Sequence, residues 1–347
     1  MPWVIEMIRF ECDYLEGALP EVMKKLNETN LEQHAGYGVD DHCERARELI
    51  KELCSAPKAD VHFLVGGTQA NTTVIASVLR TYEGVVSAVT GHINAHETGA
   101  IEATGHKVLA LPTCDGKLTA EMVKNTAEAH INDGTKEHTV KPGMVYISHP
   151  TELGTIYSKA ELTALSEVCR EYKMPLFLDG ARLGYALASE ENDLTLPDIA
   201  SLCDVFYIGG TKCGALFGEA VVITNDSLKE NFRYNIKQRG GMFAKGRLLG
   251  VQFQALLENG NYVRECSRAH KQAMRIKASL KEKGYKFLID TPTNQQFPII
   301  PDTKLKELSK KFSFSFQEKV SEKETAVRIC TSVLTEEESV EKLIKSL

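Results

Sequence analysis

Between residues 60 and 225 the chain repeats one pattern. Short runs of β-branched and apolar residues recur at 60–65, 85–89, 108–111, 144–148, 175–178, 204–210 and 218–224. Each is long enough for a buried strand and too short for a helix. Stretches with helical spacing separate several of them, such as Val74, Ile75, Val78 and Leu79, or Leu162, Leu165, Val168 and Cys169. Strands alternating with helices predict an α/β fold, a mostly parallel sheet with helices on both faces. In such a sheet the carboxyl ends of the strands converge on one crevice, where ligands bind. The strand ends are therefore where chemistry is to be sought.

Four of them carry informative residues. The segment 204–218, DVFYIGGTKCGALFG, ends its strand in Gly209-Gly210-Thr211-Lys212. Small and apolar neighbours lower the pKa of an amine and make Lys212 a better nucleophile, although a lysine after a strand is more often a solvated surface residue. The segment 60–71 runs from a strand into Gly66-Gly67-Thr68-Gln69-Ala70-Asn71 and then a helix. Free N–H groups and a positive dipole end at such a junction suit a phosphate; a plain strand–helix turn reads the same way. The spacing is neither a P-loop nor GxGxxG. His92 follows the strand at 85–89 and could stack on a ring, move protons or serve packing alone. Asp179 follows Leu176-Phe177-Leu178 and, being partly buried, needs a partner; a salt bridge to Arg182 or a helix cap would also satisfy it.

A phosphate cradle, a stacking histidine, a buried carboxylate and a nucleophilic lysine are together what pyridoxal phosphate requires. Their order and spacing resemble fold-type I pyridoxal-phosphate enzymes, most closely the threonine aldolase family within the β-eliminating lyase group. The resemblance covers nearly the whole chain. GGTQAN at 66–71 is similar to that family's phosphate turn, giving Gly66, Gly67, Thr68 and Gln69 to the cofactor. GHINAHETGA at 91–100 resembles its HIxxxE stretch, so His92 rather than His96 takes the stacking role. DGARL at 179–183 implies Asp179 on the pyridine nitrogen, with Arg182 nearby toward cofactor and substrate. Thr211-Lys212 matches its hydroxyl-plus-lysine pair, implying Thr211 on the phosphate and Lys212 on the aldehyde carbon. Gly240-Gly241-Met242 resembles its glycine-rich loop, and VRICTS at 327–332 implies Arg328 on the substrate carboxylate.

The sequence departs from that family around the substrate. Cys12, beside Asp13, aligns with a substrate-contacting serine; Thr151, after His149-Pro150, and Phe243 each stand where the family has arginine, with Lys245 and Arg247 close to the latter. The resemblance implies a lyase: retro-aldol cleavage of a β-hydroxy amino acid to glycine and an aldehyde, with Lys212, Asp179 and His92 catalytic and His92, or a water it holds, as base. β-Elimination, racemisation and a non-catalytic paralogue remain open on the same scaffold. It also implies a homo-oligomer, dimer or tetramer, with loops near Tyr37 and at 237–243 reaching a neighbouring site.

Composition bounds the rest. The 347 residues are 43% hydrophobic and 25% charged, with net charge −6 and no basic footprint for nucleic acid. No apolar run approaches a membrane span. The first ten residues, MPWVIEMIRF, do not read as a signal peptide. Nine cysteines without CxxC spacing read as reduced thiols of a cytoplasmic protein, and no metal-ligating set is read. A long helical region at 247–283 opens a shorter-patterned α+β stretch, in which the run at 296–300 reads as a strand. The expected division is a large cofactor-binding domain at 1–245 and a small domain at 246–347. Thr335 and Glu338 are expected to cap a final helix.

Overall fold

The computed structural model describes residues 7–347; most of the segment read as lacking a signal peptide lies outside the described residues. Seven strands form the large sheet. In spatial order they are Asp60–Leu64, Glu219–Ile223, Val205–Gly209, Leu176–Asp179, Lys141–Ser148, Glu83–Ala88 and Lys107–Leu111. All neighbours pair in parallel except Glu219–Ile223, which is antiparallel to both of its neighbours.

Side-chain alternation explains why the sheet is covered on both faces. Val145, Ile147, Leu176, Leu178, Phe206 and Ile208 point into one core. Met144, Tyr146, Phe177, Val205 and Tyr207 point into the other. Period-two alternation with apolar residues at both phases is what a doubly covered sheet demands. The helix Lys159–Glu171 begins with the expected capping box between Ser158 and Glu161. Helix Pro20–Glu28 starts with proline in its first turn, and helix Asp41–Leu53 is capped by Asp40, whose side chain accepts from Cys43 N.

The C-terminal part carries a five-stranded antiparallel sheet built from Lys286–Phe287, Gln295–Gln296, Pro298–Pro301, Ser315–Ser321 and Glu324–Cys330. Its core holds Ile276, Leu280, Ile300, Ile329, Val340 and Leu343, together with Phe10 from the N-terminal segment. Ile8–Arg9 pairs in parallel with Phe312–Ser313. Helix Arg247–Leu257, by contrast, buries Leu249, Phe253 and Leu256 in a core of the large sheet.

Three local expectations are corrected. The helix read across 247–283 is two helices, Arg247–Leu257 and Asn261–Glu282, because Asn259 and Gly260 both adopt left-handed φ, 61° and 68°. Asn and Gly tolerate that conformation, which ends a helix. The run at 296–300 is divided at Phe297, next to Pro298, which lacks a ladder donor. Helix Glu337–Ser346 has no side-chain cap; the Thr335 hydroxyl accepts instead from Ser332 N at 2.7 Å.

Close backbone approach fixes the strand ends. A Cβ at Gly180 would lie 2.0 Å from the Tyr207 carbonyl oxygen, and one at Gly209 2.5 Å from the Ala181 carbonyl oxygen. Backbone cannot yield as a flexible side chain does. Gly180→Ala is therefore expected to destabilise the fold by about 1–3 kcal/mol or more. Urea unfolding checks this, and an unchanged midpoint would contradict it.

Candidate active site

The carboxyl ends of the parallel strands meet in a cavity of about 190 Å3, lined among others by Gly66, Gly67, Thr68, His92, Asp179 and Lys212. A second cavity, of about 530 Å3, shares His92, Glu152, Arg182 and Lys212 with the first and adds Tyr14, His96 and Arg328. The two form a continuous cleft with a phosphate-type end and an arginine end.

Asp179 closes the strand Leu176–Asp179 and is buried. It is not paired with Arg182. Its Oδ2 accepts from the Tyr146 hydroxyl at 2.5 Å and Asn71 Nδ2 at 3.3 Å, and its Oδ1 from Ala181 N at 3.0 Å. Burial, with the Asp179 charge, pushes the Tyr146 phenol well above its ordinary range, so Tyr146 stays a donor. Asn71 also donates to Glu97 Oε1 at 2.7 Å, and Glu97 Oε1 lies 2.8 Å from His92 Nδ1. One chain of contacts thus runs from Asp179 to His92. Burial lowers the His92 pKa, but the Glu97 hydrogen bond and the charges of Asp179 and Glu97 outweigh it and raise it overall.

Lys212 stands in the tight turn after Val205–Gly209, its carbonyl held by the Tyr185 hydroxyl at 2.9 Å. Burial, then the charge of Arg182, lowers its pKa, against the pull of Asp13, Asp179 and Glu219. A lowered amine pKa supplies more of the nucleophilic form. The Thr211 hydroxyl donates to Glu219 Oε1 at 2.8 Å. Glu219 lines the same cavity, and burial raises its carboxyl to about 8 despite that bond and the nearby Lys212.

The helix Gly67–Val78 begins at the cavity with no acidic residue in its first turn. A Cβ at Gly66 would meet nothing within 4 Å, and one at Gly67 would lie 3.1 Å from the Tyr207 hydroxyl. That hydroxyl is buried in the cavity wall beside Asp179, and no hydrogen bond of full geometry reaches it among the described residues. An anion cradle, a buried phenol, a buried carboxylate and a desolvated lysine on one cleft fit pyridoxal phosphate.

The remaining expected residues sit as follows. Arg182 makes a two-pronged pair with buried Asp13, Nε to Oδ2 at 2.6 Å and Nη2 to Oδ1 at 2.9 Å, while Asn294 donates to Asp13 at 2.9 Å. Arg182 still lines both cavities. Arg328 is held by the Glu11 carbonyl at 3.0 Å, and its buried Nε has no hydrogen-bond partner among the described residues. Cys12 is buried and lines neither cavity; two positions on, Tyr14 does, its ring 5.8 Å from Lys212 Nζ. The Gln69 amide accepts from Val65 N at 3.0 Å and donates to the Arg239 carbonyl at 3.1 Å, clamping the loop before Gly240.

Sequence reading missed Asn71, Glu97, Tyr146, Glu152 and Glu219. Asn71 stood inside the quoted glycine turn and Glu97 inside the histidine stretch. Glu219, opening an otherwise apolar strand, was the one signal visible from composition alone. Glu152 accepts from Ser148 Oγ at 2.6 Å and His92 N at 2.8 Å, and burial raises its pKa.

Fold and site together define a pyridoxal-phosphate enzyme of fold type I. Comparison with known proteins narrows this. The family described as beta-eliminating lyase matches residues 10–302. Low specificity L-threonine aldolase of Pseudomonas sp. (strain NCIMB 10558) is 30% identical over 309 residues, covering 87% of each chain. The enzyme of the same name from Pseudomonas aeruginosa is 32% identical over 267 residues, 76% of each. A solved structure of Leishmania major threonine aldolase is 45% identical with a TM-score of 0.95, covering 97% of this chain and 98% of that one. Thermus thermophilus aspartate aminotransferase, at 14% identity and TM-score 0.71, shares the fold. The chain belongs to the threonine aldolase group of the β-eliminating lyase family, pyridoxal-phosphate-dependent carbon–carbon lyases.

The raised Glu219 pKa has a stability consequence. An acid whose folded pKa lies above its unfolded value stabilises the fold at low pH; that contribution is lost as pH rises toward about 8. Glu219→Gln should flatten the decline in melting temperature between pH 5 and about 8. Parallel wild-type and variant profiles would contradict this.

Proposed function

We propose that the substrate is a β-hydroxy amino acid of the threonine type, cleaved between Cα and Cβ to glycine and an aldehyde. The observation that carries this reading is the pairing, across one cleft, of the lysine and aspartate end with Arg328. Bound pyridoxal phosphate supplies a ring that accepts the electron pair released at Cα. Lys212 would hold the cofactor aldehyde, its lowered pKa favouring the neutral amine that reacts. Asp179 would keep the pyridine nitrogen protonated, its geometry fixed by Tyr146, Asn71 and Ala181. Gly66, Gly67, Thr68 and Thr211 would take the phosphate.

Arg328, which lines the cavity, would grip the substrate carboxylate. A carboxylate so held would fix the orientation of the substrate's Cα–Cβ bond in the cleft. His92 would take the β-hydroxyl proton; with Nδ1 engaged by Glu97, Nε2 is the nitrogen that receives it. Arg182, tied to Asp13, would position rather than bind. The names of the relatives at 30% and 32% identity support threonine as the starting substrate.

Lys212→Ala is expected to lose both visible cofactor absorbance and glycine release from L-threonine and L-allo-threonine; retention of both would remove this lysine from its role. Asp179→Asn is expected to keep the cofactor and lose turnover by at least about 100-fold, the scale of a single electrostatic contact in catalysis. Unchanged turnover would contradict it, and a melting curve separates a loss of stability.

The same reading extends to a cytoplasmic homo-oligomer, dimer or tetramer. The exposed Tyr37 and Phe243, which line one shallow hollow beside Arg233, support a subunit contact there. Sedimentation should give a multiple of 38.4 kDa, and a persistent single chain at micromolar concentration would remove the oligomer.

A further inference from the structure

Away from the active cleft, three potential metal ligands converge at the turn between helices Pro20–Glu28 and Asp41–Leu53. His34 Nε2 lies 2.8 Å and His42 Nε2 2.7 Å from the same carboxylate oxygen, Glu32 Oε2. The two imidazoles meet nearly edge-on, 5.1 Å apart at 69°. The rings are largely sheltered, at 17% and 16% side-chain exposure, while Glu32 at 43% leaves one side open to solvent.

The far nitrogen of the His42 ring faces an oxygen atom. His42 Nδ1 is 2.9 Å from Gln254 Oε1. The Gln254 amide cannot be turned round, because its Nε2 donates to Glu258 Oε1 at 2.8 Å, and Lys25 in turn holds Glu258 at 2.6 Å. Nδ1 of His42 therefore carries the proton. In the neutral ring Nε2 then aims a lone pair at a carboxylate oxygen, a contact that is attractive only with a further proton or a cation between them. His34 Nδ1 lies 4.0 Å from Asp41 Oδ2, beyond hydrogen-bond reach, so the tautomer is fixed at His42 and not at His34. Oxygen acceptors behind ligating histidines are how metal sites fix their tautomers.

We propose that Glu32, His34 and His42 form a binding site for a divalent cation of the zinc class, with the fourth position open to water. Two imidazoles and one carboxylate suit zinc and exclude calcium or magnesium, which take oxygen shells. The three ligand atoms lie within 4.8 Å of one another. Around a tetrahedral zinc they would stand roughly 3.4 Å apart, so each ring nitrogen would draw back from Glu32 Oε2 by about 0.6–0.7 Å. The ion would tie the turn leading to Tyr37 to helices Asp41–Leu53 and Arg247–Leu257, since Gln254 lies on the latter.

The test uses chelator-washed holoenzyme in a Cys114→Ser background, which removes the one exposed thiol. Zinc is titrated in competition with a chromophoric chelator. One zinc per chain at micromolar affinity or tighter is expected. The His34→Ala/His42→Ala double variant should lose that binding while keeping its cofactor colour. Gln254→Leu, which leaves all three ligands in place, should weaken binding about 10- to 100-fold. Equal zinc affinity in parent and double variant, or no zinc bound by the parent at micromolar concentration, would overturn the proposal.

Discussion

A carboxylate taken out of water must find donors, and the cleft is assembled around the donors that Asp179 finds. Tyr146 comes from the neighbouring strand, Asn71 from the helix after the glycine turn, and Ala181 N from its own loop. The parallel register, with Ser148 beside Asp179, brings the first of these into reach. The second depends on Gly66 and Gly67 starting a helix where they do. Moving any one element would leave a buried charge short of a partner, which costs several kilocalories per mole at the scale typical of such groups. The same Asn71 then fixes Glu97, and Glu97 fixes His92. The Asp179 carboxylate and the His92 ring are therefore geometrically linked through a single asparagine.

Charge balance elsewhere in the cleft follows the same logic. Arg182 and Asp13 satisfy one another, and desolvation, opposed by the Arg182 charge, leaves Asp13 held down at about 2. Lys212 sits between that arginine, which disfavours its charge, and three carboxyl groups that favour it. Glu219 is buried, and burial holds its proton to higher pH. An amine so placed is less stabilised in its charged form, which is the state a nucleophile must leave.

Much of this could be read from the sequence because strand ends advertise themselves. The alternation of short apolar runs with helical spacing located all seven strands of the large sheet, and the glycine, aspartate and lysine at their ends marked the crevice. What could not be read were pairings that depend on folding distance. Asp13 meets Arg182 across 169 positions and Asn294 across 281, and no local pattern encodes either. Gln69 belonged to a legible motif, yet its side chain turns to the 239–241 loop instead of lining the cavity. The broken helix at Asn259-Gly260 was legible: an Asn-Gly pair is a turn signal that continuous apolar spacing on either side obscured.

The central claim is that the enclosed amine at the end of strand Val205–Gly209 bonds the cofactor. Borohydride reduction of the coloured protein, followed by proteolysis and mass mapping, reads this directly. The account predicts a phosphopyridoxyl mass increment on Lys212 and no other lysine. The increment on another lysine, or its absence from a protein that retains its visible colour, would contradict it.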